Sequence, residues 1–368
     1  MTTDDWNKYL WGDLAVLEYG RSLRGYRDGT GTVRVFGTNG PIGWTNEEQG
    51  AGPTVVVGRK GAYRGVHYSS GPFWVIDTAF WLRPLADIDM RWAYYQLLTQ
   101  DINGRDSGSA IPSLSRSDFS TFVAAVPPIQ EQRAIAEVLG SLDDKILANQ
   151  RTCALEEELA TCVLDQAPSR IPLRDVANIL RNIIDPSSLG LTMVDHFSLP
   201  AFDEQRLPVH QAGAEIRSGK QIIDDISVLV SRLNPHIPRV WYAVPKSGIF
   251  GVASTEFVVL APQNDASAEE LWACCNSASF SSELAESVTG TTGSHQRVQA
   301  ADVLSTEVGD PRSLSPGQRL AIATLVKSAH HLRVETVTLA TLRDALLPKL
   351  LQGELRVRDA DAFVEVMG

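Results

Sequence analysis

Cysteine is scarce in this chain: only four of its 368 residues are cysteines, and their spacing matches neither a zinc site nor a redox motif. Cys153 and Cys162 fall within one long helical pattern, while Cys274 and Cys275 are adjacent, an arrangement in which a disulfide rarely forms. The pattern excludes a disulfide scaffold and predicts reduced thiols that are mostly buried.

Long apolar runs are also absent. No segment reaches the roughly 18 apolar residues that a transmembrane helix needs. The first residues, MTTDDWNKYL, are polar and acidic, unlike a secretion signal. These absences predict a cytoplasmic protein with no membrane partner.

The motifs of common enzymes are missing as well. The sequence contains no glycine-rich cofactor loop after a strand, no His-Glu-x-x-His, no Gly-x-Ser-x-Gly and no Asn-Pro-Pro-aromatic or Asp-Pro-Pro-aromatic methyltransferase tetrapeptide. The run Gly71-Pro72-Phe73-Trp74 is similar to that tetrapeptide but lacks its polar first residue. Adjacent His330 and His331 cannot share one ligand face of a helix. We therefore expect a non-catalytic chain that binds no cofactor and no metal.

Positive charge is in short supply, since the net charge is −11. A nucleic-acid partner needs Lys and Arg to neutralise phosphates, so the total argues at first against DNA. The distribution is uneven, however. Residues 127–165 carry −5 and residues 166–311 carry −7, whereas residues 21–64 hold seven basic side chains against three acidic ones. A local basic patch is therefore compatible with an acidic chain.

What the sequence does contain is a long helical pattern over residues 127–165. After Pro127 and Pro128 no proline interrupts it, and one face repeats at alternating spacings of four and three residues. This seam consists of Ile135, Leu139, Leu142, Ile146, Asn149 and Cys153. A helix with one apolar seam needs a partner, and Asn149 either sets the register of the pair or lies off the interface.

A second segment near the end of the chain supplies that partner. Its leucines recur every seven residues with two small or apolar residues beside them: Leu325, Leu332, Leu339 and Leu346, with Ile322 and Ala329. Both helices also start alike, with Gln-Arg and then Ala-Ile-Ala at residues 132–136 and 318–323. The chain therefore repeats itself with a period near 186 residues.

The segments before the two helices repeat each other too. Short β-rich runs bounded by glycine predict a strongly curved, mixed or antiparallel sheet in each. The matches keep the same order: Asp13 and Ala15 with Asp175 and Ala177, residues 55–61 with 228–234, 77–82 with 254–260, and 107–112 with 289–297. A predicted helix at 91–99 corresponds to another at 269–282.

We therefore predict a mixed α/β fold with four parts: a first α/β domain (1–126), a first spacer helix (127–165), a second α/β domain (166–311), and a second spacer helix with a C-terminal tail (312–368). Two copies of one unit imply a pseudo-two-fold arrangement in which the long helices pack antiparallel as a coiled coil. A helix of about 35 residues is about 50 Å long, or about one and a half turns of B-DNA. Such a rod would hold two reading domains at a fixed spacing.

The start of the first helix, residues 127–136, closely resembles the start of the spacer helix in the specificity subunits of type I restriction-modification systems. Other segments in both halves are similar to the same family: residues 58–61, 71–78, 231–235 and 251–257. The resemblance covers essentially the whole chain. One departure is that the second helix start, residues 315–319, lacks a counterpart of Glu131.

That resemblance implies two target-recognition domains, each reading one half of a bipartite site in double-stranded DNA, with the helices setting the gap. It also implies that the spacer helices dock modification subunits, two per chain, which transfer a methyl group from S-adenosylmethionine to adenine. A restriction subunit is compatible with it. The alternative is a protein-interaction scaffold whose repeated domains bind proteins and have no DNA specificity.

Polar side chains in the loops of both domains are the candidates for DNA contact. Glycines around Arg59, Lys60 and Arg64 would let the backbone approach another surface closely, and Arg can bind guanine or phosphate with two hydrogen bonds. The predicted set is Arg21, Arg24, Asn39, Arg59, Lys60, Arg64, Arg232, Asn234, Lys246, His295, Gln296 and Arg297. For Asn39 itself an Asn-Gly turn is the favoured interpretation, and residues 289–297 could equally form a plain polar loop.

On the spacer helices we predict contacts with the modification subunits at Gln132, Arg133, Glu156, Glu157, Gln318 and Arg319. The run Glu156-Glu157-Glu158 is more commonly a solvated helix face, although its charge would suit a basic partner.

Overall fold

A computed structural model describes residues 6–104, 112–287 and 296–357 of the chain. The chain forms two compact units, one made of Met1–Lys145 with Leu339–Gly368 and the other of Ile146–Thr338. Each unit contains an α/β domain and a stretch of each of two long helices. The mixed α/β fold with two domains and two long helices is thus confirmed, while the predicted domain boundaries stay predictions.

The elements that begin in the first unit are, in chain order, β1 (Asn7–Leu10), α1 (Trp11–Leu14), β2 (Ala15–Tyr19), β3 (Val33–Gly37), β4 (Gly40–Thr45), β5 (Thr54–Gly58), β6 (Val66–Ser69), β7 (Phe73–Val75), β8 (Ala79–Pro84), α2 (Met90–Leu98), α3 (Arg116–Ser120), β9 (Val123–Val126) and the long helix α4 (Ile129–Leu164). An antiparallel sheet has the order β2-β8-β5-β6, and a second has the order β4-β3-β7, in which β3 and β7 are parallel. Strand β1 pairs with β9.

The core of the first unit follows from the alternation of side chains along β5. Val55 and Val57 pack in the cluster that contains α2, whereas Val56 points to the other face and packs with Phe36 and Phe73 of the second sheet. All three valines are fully buried, since β5 is a central strand covered on both faces. The valine-rich run in the sequence is therefore the strand around which this domain is built.

The second unit continues the chain with β10 (Arg170–Pro172), β11 (Ala177–Leu180), β12 (Ile183–Ile184), β13 (Met193–Phe197), α5 (Leu199–Glu204), β14 (Val209–Ala212), β15 (Lys220–Ile223), β16 (Ser227–Ser231), β17 (Val240–Ala243), β18 (Phe250–Ser254), β19 (Phe257–Pro262), α6 (Ala268–Asn276), α7 (Ala278–Glu286), α8 (Ala300–Ser305), β20 (Glu307–Gly309) and the long helix α9 (Pro316–Leu351). Its sheets have the orders β11-β19-β16-β17 and β12-β15-β18-β13-β14, and β10 pairs with β20.

The two domains share one topology. Strands β2, β8, β5 and β6 correspond to β11, β19, β16 and β17, and the parallel pair β3 and β7 corresponds to β13 and β18. The predicted internal repeat is therefore confirmed at the level of strand order. The second domain has in addition β12 and β15, which pair with each other and extend its second sheet.

One local prediction in the second domain needs correction. The helix predicted over 269–282 is divided into α6 and α7. Ser277 has an extended backbone, and its hydroxyl accepts a hydrogen bond from Phe280 N at 3.3 Å, so it ends one helix and caps the next. The segment 107–112 lies largely outside the described residues.

In the second unit, α4 and α9 pack antiparallel. Asn149 Nδ2 donates to Glu335 Oε2 at 2.7 Å, and Cys153 Sγ lies 3.4 Å from Ala329 O, so the partner number falls as the residue number rises. The predicted α4 seam is confirmed, with Ile146, Asn149 and Cys153 buried. On α9 the buried residues are Ile322, Val326 and Ala329, whereas the predicted heptad leucines Leu325 and Leu332 are half-buried.

The same two helices pack in the first unit through other residues. Ile135 and Leu139 of α4 share the hydrophobic core with Leu346 and Leu350 of α9. Arg343 donates to Asp143 at 2.7 Å beside them. In both units the helix pair is thus continuous with the core of its own α/β domain.

Among the described residues, no helix is long and apolar enough to span a bilayer, and no cluster of His, Cys, Asp and Glu has the geometry of a metal site. Cys153, Cys274 and Cys275 are buried free thiols, while Cys162 is exposed. Burial raises the pKa of the Cys274 and Cys275 thiols well above the ordinary value, so both stay protonated and unreactive.

Candidate nucleic-acid interface

Loops of the first domain meet at one edge of its sheets and are tied together by the backbone. Thr38 links them from the β3–β4 turn: its hydroxyl donates to Thr78 O at 2.8 Å, and its carbonyl accepts from Gly65 N at 3.2 Å. Arg59 N also donates to Thr78 O, at 2.9 Å, and Arg21 N donates to Val75 O at 2.8 Å. The loops that carry Arg21, Asn39, Arg59 and Lys60 therefore lie side by side.

An aromatic ring and two guanidinium groups form the centre of this edge. Tyr19 is 49% exposed, and the guanidinium of Arg59 lies 4.8 Å from its ring centroid while that of Arg116 lies at 5.7 Å. The ring of Phe80 packs beside it, with its centroid 5.1 Å from that of Tyr19 and 5.7 Å from the Arg59 guanidinium. A cation over an aromatic face is held in place while its remaining donors stay available.

The remaining predicted residues of this edge are solvent-exposed. Arg21, Arg24 and Lys60 are exposed and make no ion pair with any described residue, and Asn39 lies in the turn between β3 and β4. The half-buried imidazole of His67 adds no charge, because burial lowers its pKa below the ordinary value and keeps the ring neutral. The positive charge of the edge therefore comes from lysine and arginine alone.

Arg64 does not belong to this exposed set, contrary to the interpretation of its glycine-flanked position. The side chain is 1% exposed. Its guanidinium donates to the carbonyls of Gly61, Ile102 and Asn103 at 3.0, 2.9 and 2.9 Å. Arg64 therefore binds the protein's own loops and does not present its guanidinium to the solvent.

The second domain builds its corresponding edge with the same hydrogen bonds. In the first domain Gly61 N donates to Pro112 O and Leu114 N to Arg59 O. In the second, Asn234 N donates to Gln296 O and Val298 N to Arg232 O. Arg232 N donates to Glu256 O just as Arg59 N donates to Thr78 O. The loop after the central strand is thus fastened in the same way in both domains.

The backbone at this loop is unusual in both copies. Gly61 has φ of 119° and Asn234, which takes its place, has φ of 52°. Both values lie in the region that L side chains rarely adopt, although Asn tolerates the left-handed conformation better than most residues. Asn234 therefore has a conformational role in addition to any contact with DNA.

Side chains distinguish the two edges where the backbone does not. The second domain has Arg181 and Ala300 in the places of Tyr19 and Arg116. Strand β11 pairs with β19 in the same register as β2 with β8, and both α3 and α8 follow the fastened loop. The space that the Tyr19 ring occupies in the first domain is open in the second. It forms a cavity of about 290 Å³ lined by Ile179, Arg181, Ile183, Gln221, Arg232, Thr255, Phe257, Val258, Gln299 and Ala300.

Arg297 lies beside this edge but is already paired. Its guanidinium donates twice to Glu256, from Nε at 3.1 Å and from Nη2 at 2.8 Å. These hydrogen bonds lower the pKa of the Glu256 carboxyl below its ordinary value, so the pair is intact at neutral pH. The first domain has Thr78 and Ser113 at the corresponding positions and therefore has no such pair.

Two other predicted residues are not part of this edge. Lys246 follows β17, whose end lies beside the start of β16, so it lies at the opposite end of the sheet from Arg232. Its backbone N–H donates to Asp195 Oδ2 at 2.8 Å. His295 lies outside the described residues, whereas Gln296 and Arg297 are inside them.

The predicted partner contacts on the long helices are largely internal. Gln132 is 2% exposed and binds Pro127 O and Asp89 N. Glu157 accepts hydrogen bonds from Arg333 at 2.6 Å and Arg206 at 3.1 Å. Arg133 is exposed by contrast. Gln132 and Arg133, which are neighbours in the motif at the start of α4, therefore differ: the first binds within the protein and the second faces the solvent.

The remaining members of that set are also engaged in the second unit. Arg319 donates to Glu270 at 2.5 Å, and Gln318 donates to Gln166 at 3.0 Å. Glu156 accepts from Ser328 at 2.9 Å. These contacts join the helices to each other and to their domain, so they are poor candidates for a partner surface.

Sequence reasoning missed Tyr19, Arg116 and Arg181. Tyr19 is the last residue of β2, Arg181 follows β11 at the corresponding position, and Arg116 follows the serine that caps α3. Strict alignment of the two halves could have drawn attention to these positions. It could not have shown that Arg59 and Arg116 lie on the same ring, because these residues are far apart in the chain.

Comparisons with known proteins point in one direction. Residues 3–157 match the family model described as the type I restriction modification DNA specificity domain. A stretch of 109 residues is 31% identical to the type I restriction enzyme EcoprrI specificity subunit of Escherichia coli, covering 29% of this chain and 27% of that protein. The chain thus matches about a quarter of the length of that relative.

A solved structure resembles the fold over nearly its full length. A type I restriction-modification system S subunit from M. genitalium has a TM-score of 0.66 at 15% identity, covering 94% of this chain and 96% of the other. An HsdS subunit from Thermoanaerobacter tengcongensis covers 95% of this chain and 97% of its own, at 15% identity with a TM-score of 0.32.

Proposed function

We propose that this chain is a specificity subunit of a type I restriction-modification system and recognises DNA on behalf of such a complex, since residues 3–157 match the family model of that specificity domain. In this proposal each α/β domain reads one half of a bipartite site in double-stranded DNA. The chain is not itself catalytic. Methyl transfer from S-adenosylmethionine to adenine takes place in modification subunits, two per chain, and a restriction subunit is compatible with the same assembly.

The observation that carries the proposal is the loop after the central strand of each domain. The same hydrogen bonds fasten it in both copies, at Arg59 and at Arg232, and it presents arginine at the same edge of the sheet. A scaffold would have no reason to repeat a charged, tightly fastened loop. Arginine in such loops can bind phosphate or the major-groove edge of guanine with two hydrogen bonds.

The acidic total of the chain does not oppose this role. Residues 21–64 carry a local excess of four positive charges, although one of them, Arg64, is buried. Acidic side chains such as Asp143 and Glu157 lie on the long helices, where arginines of α9 pair with them. DNA affinity should therefore fall steeply with salt, since phosphate contacts release counterions.

Exposed apolar residues on α4 indicate where a modification subunit would dock. Leu155 and Leu159 are 64% and 53% exposed and lie one helical turn apart, with Glu158 exposed beside them. We expect Leu155→Asp with Leu159→Asp to abolish co-purification with the modification subunits while leaving the thermal unfolding of the chain unchanged. Glu158→Gln is the matched control, and a double variant that assembles normally would remove this face from the proposal.

Sequencing of methylated adenines in a host with and without the gene tests the proposal as a whole. We expect one bipartite motif to lose methylation when the gene is deleted, and its gap to change if residues are inserted into the long helices. The purified complex with its modification subunits should bind duplex DNA. Partner binding without duplex binding would favour the scaffold alternative instead.

A further inference from the structure

The cavity in the second domain differs in character from a phosphate site. Two arginines, Arg181 and Arg232, border it together with the amides of Gln221 and Gln299. Its other walls include Ile179, Ile183, Phe257 and Val258, all apolar. A phosphate would use the guanidinium groups but leave the apolar walls in contact with nothing, whereas a small planar ring with polar edges would use both.

The first domain shows what such a space can hold. There, the Tyr19 ring lies at the corresponding place, with the tilted ring of Phe80 at 5.1 Å and the Arg59 guanidinium at 4.8 Å from its centroid. In the second domain the position of Arg59 is taken by Arg232, and the ring itself is missing because Arg181 replaces Tyr19. A planar aromatic ring is therefore compatible with this part of the fold.

The hydrogen-bonding groups around the cavity are held in place. Gln221 Nε2 donates to Phe257 O at 2.7 Å, which orients the amide and leaves its oxygen as an acceptor. Arg232 Nε donates to Val298 O at 3.3 Å, which leaves the terminal nitrogens as donors. Donors and an acceptor thus surround one ring-sized space. Strands β12 and β15, which the first domain lacks, supply Ile183 and Gln221.

We propose that the second domain binds one unstacked DNA base in this cavity, with the ring between Arg181 and Arg232 and its polar edge towards Gln221. The inference rests on the proposed function, since it places the cavity on the DNA-reading edge. It adds that this domain takes a base out of the stack, whereas the first domain fills the equivalent space with its own tyrosine. Aromatic and guanidinium groups stack on any base, so the cavity would accept a base before it discriminates among bases.

The test uses the chain assembled with its modification subunits and three fluorescent duplexes that all carry the bipartite motif found by sequencing of methylated adenines. The first is fully paired, the second carries one bulged adenosine, and the third carries an abasic bulge at the same place. The abasic duplex keeps the extra phosphate and the bend, so its comparison with the second isolates the base. We expect the complex to bind the bulged adenosine about tenfold more tightly than the abasic bulge, within the range for stacking of one base.

A variant that fills the cavity tests the location. Arg181→Tyr with Ala300→Arg reproduces the residues of the first domain and leaves the net charge unchanged, so general attraction to DNA is preserved. We expect the ratio of the affinities for the bulged adenosine and the abasic bulge to fall to about one. This ratio is the readout, whatever the variant does to binding of the paired duplex. Ala301→Arg is the control, since Ala301 is exposed on α8, does not line the cavity and adjoins Ala300.

The outcomes separate the inference from the proposed function. Failure to bind any duplex would contradict the proposed function. Normal binding to the paired duplex with equal affinity for the two bulges would overturn the base pocket alone. A preference that survives the filled cavity would also overturn it. If the double variant unfolds, Ala300→Arg by itself is measured in its place, and the wild-type comparison of the two bulges still decides.

Discussion

The edges of the two α/β domains show one backbone design with two side-chain solutions. Both fasten the loop after the central strand through the same hydrogen bonds, at Arg59 and at Arg232. The first domain fills the space beside that arginine with Tyr19, whereas the second leaves a cavity of about 290 Å³. A duplicated fold can therefore keep its backbone hydrogen bonds while each copy acquires its own recognition surface, because surface side chains can change without breaking those hydrogen bonds.

Charge separates the two domains further. Exposed Arg21, Arg24 and Lys60 surround the edge of the first domain without ion-pair partners among the described residues. In the second domain Arg297 is paired with Glu256, and residues 166–311 have a net charge of −7. We expect the first domain to contribute most of the general attraction to phosphate, and the second to depend more on specific contacts.

The largest expected effect is on stability and concerns Gly20, whose place in the second domain is taken by Asn182. A Cβ on Gly20 would lie 2.0 Å from Ile76 O, with no flexible side chain to move away. The corresponding Asn182 carries a Cβ, and its carbonyl accepts from Ile222 N of the inserted strand. Gly20→Ala should cost the first unit about 3 kcal/mol of unfolding free energy, whereas Asn182→Ala should be nearly neutral.

Hydrogen exchange measured by mass spectrometry locates that loss. Peptides of β7 and β8 should lose protection in Gly20→Ala while peptides of β16 and β19 keep theirs. Equal loss in both units would contradict the independence of the two edges.

A second stability effect belongs to Arg64. Replacement by Ala leaves the carbonyls of Gly61, Ile102 and Asn103 without their donor inside the protein, and we expect a loss of about 2 kcal/mol. Lys60→Ala, its exposed neighbour, should leave stability unchanged and weaken DNA binding instead. Both variants are measured by denaturant titration and by duplex affinity. The titration should show a loss only for Arg64→Ala, and the affinity a loss only for Lys60→Ala. A stable Arg64→Ala variant with weakened DNA binding would restore Arg64 to the recognition surface.

Arg59 and Arg232 offer a direct comparison of the two loops in DNA binding. Each replacement by Ala should weaken binding of the assembled complex to its own site by about tenfold, and loss of one phosphate contact should reduce the slope of log affinity against log salt by about 0.9. We expect the slope to change for Arg59→Ala and to change less for Arg232→Ala, since the cavity offers Arg232 a base. Identical slopes would remove that distinction, and unchanged affinity of Arg59→Ala with Lys60→Ala would remove the first loop from the proposal.

The smallest effect concerns the ion pair that only the second domain has. Glu256→Gln removes the negative charge that holds Arg297, and we expect DNA affinity at neutral pH to rise by about threefold. Because Arg297 lowers the pKa of Glu256, the pair stabilises the fold above the ordinary carboxyl pKa, and this contribution disappears as the pH falls through the lowered value. The variant should therefore equal wild type in DNA affinity only at acid pH, and the Thr78→Ala control in the first domain should show no such pH dependence.

Particular residues show how far the sequence could be read. The spacing of Ile135, Leu139 and Ile146 predicted the buried seam of α4 because helical periodicity depends only on neighbours along the chain. The match of residues 55–61 with 228–234 likewise predicted that the loops after the two central strands correspond. Of the heptad leucines of α9, Leu346 is buried whereas Leu325 and Leu332 are half-buried, since a long helix that also packs on a domain buries residues on more than one face.

Arg64, Gln132 and Glu157 could not be placed in the same way. Each stands in a motif beside exposed neighbours, yet each turns inward to bind groups distant in sequence or on another element. Whether an arginine in a loop points to the solvent depends on which carbonyls the tertiary structure brings near it.

The amino-acid sequence by itself determined the two long helices, the duplication and the valine-rich central strands, because these follow from local period and burial pattern. Only the tertiary structure decided which arginines face outward, which partner residues are already occupied, and that the second domain is open where the first is filled. The physical reason is that hydrogen bonds and ring contacts between distant loops depend on distances that no local pattern encodes.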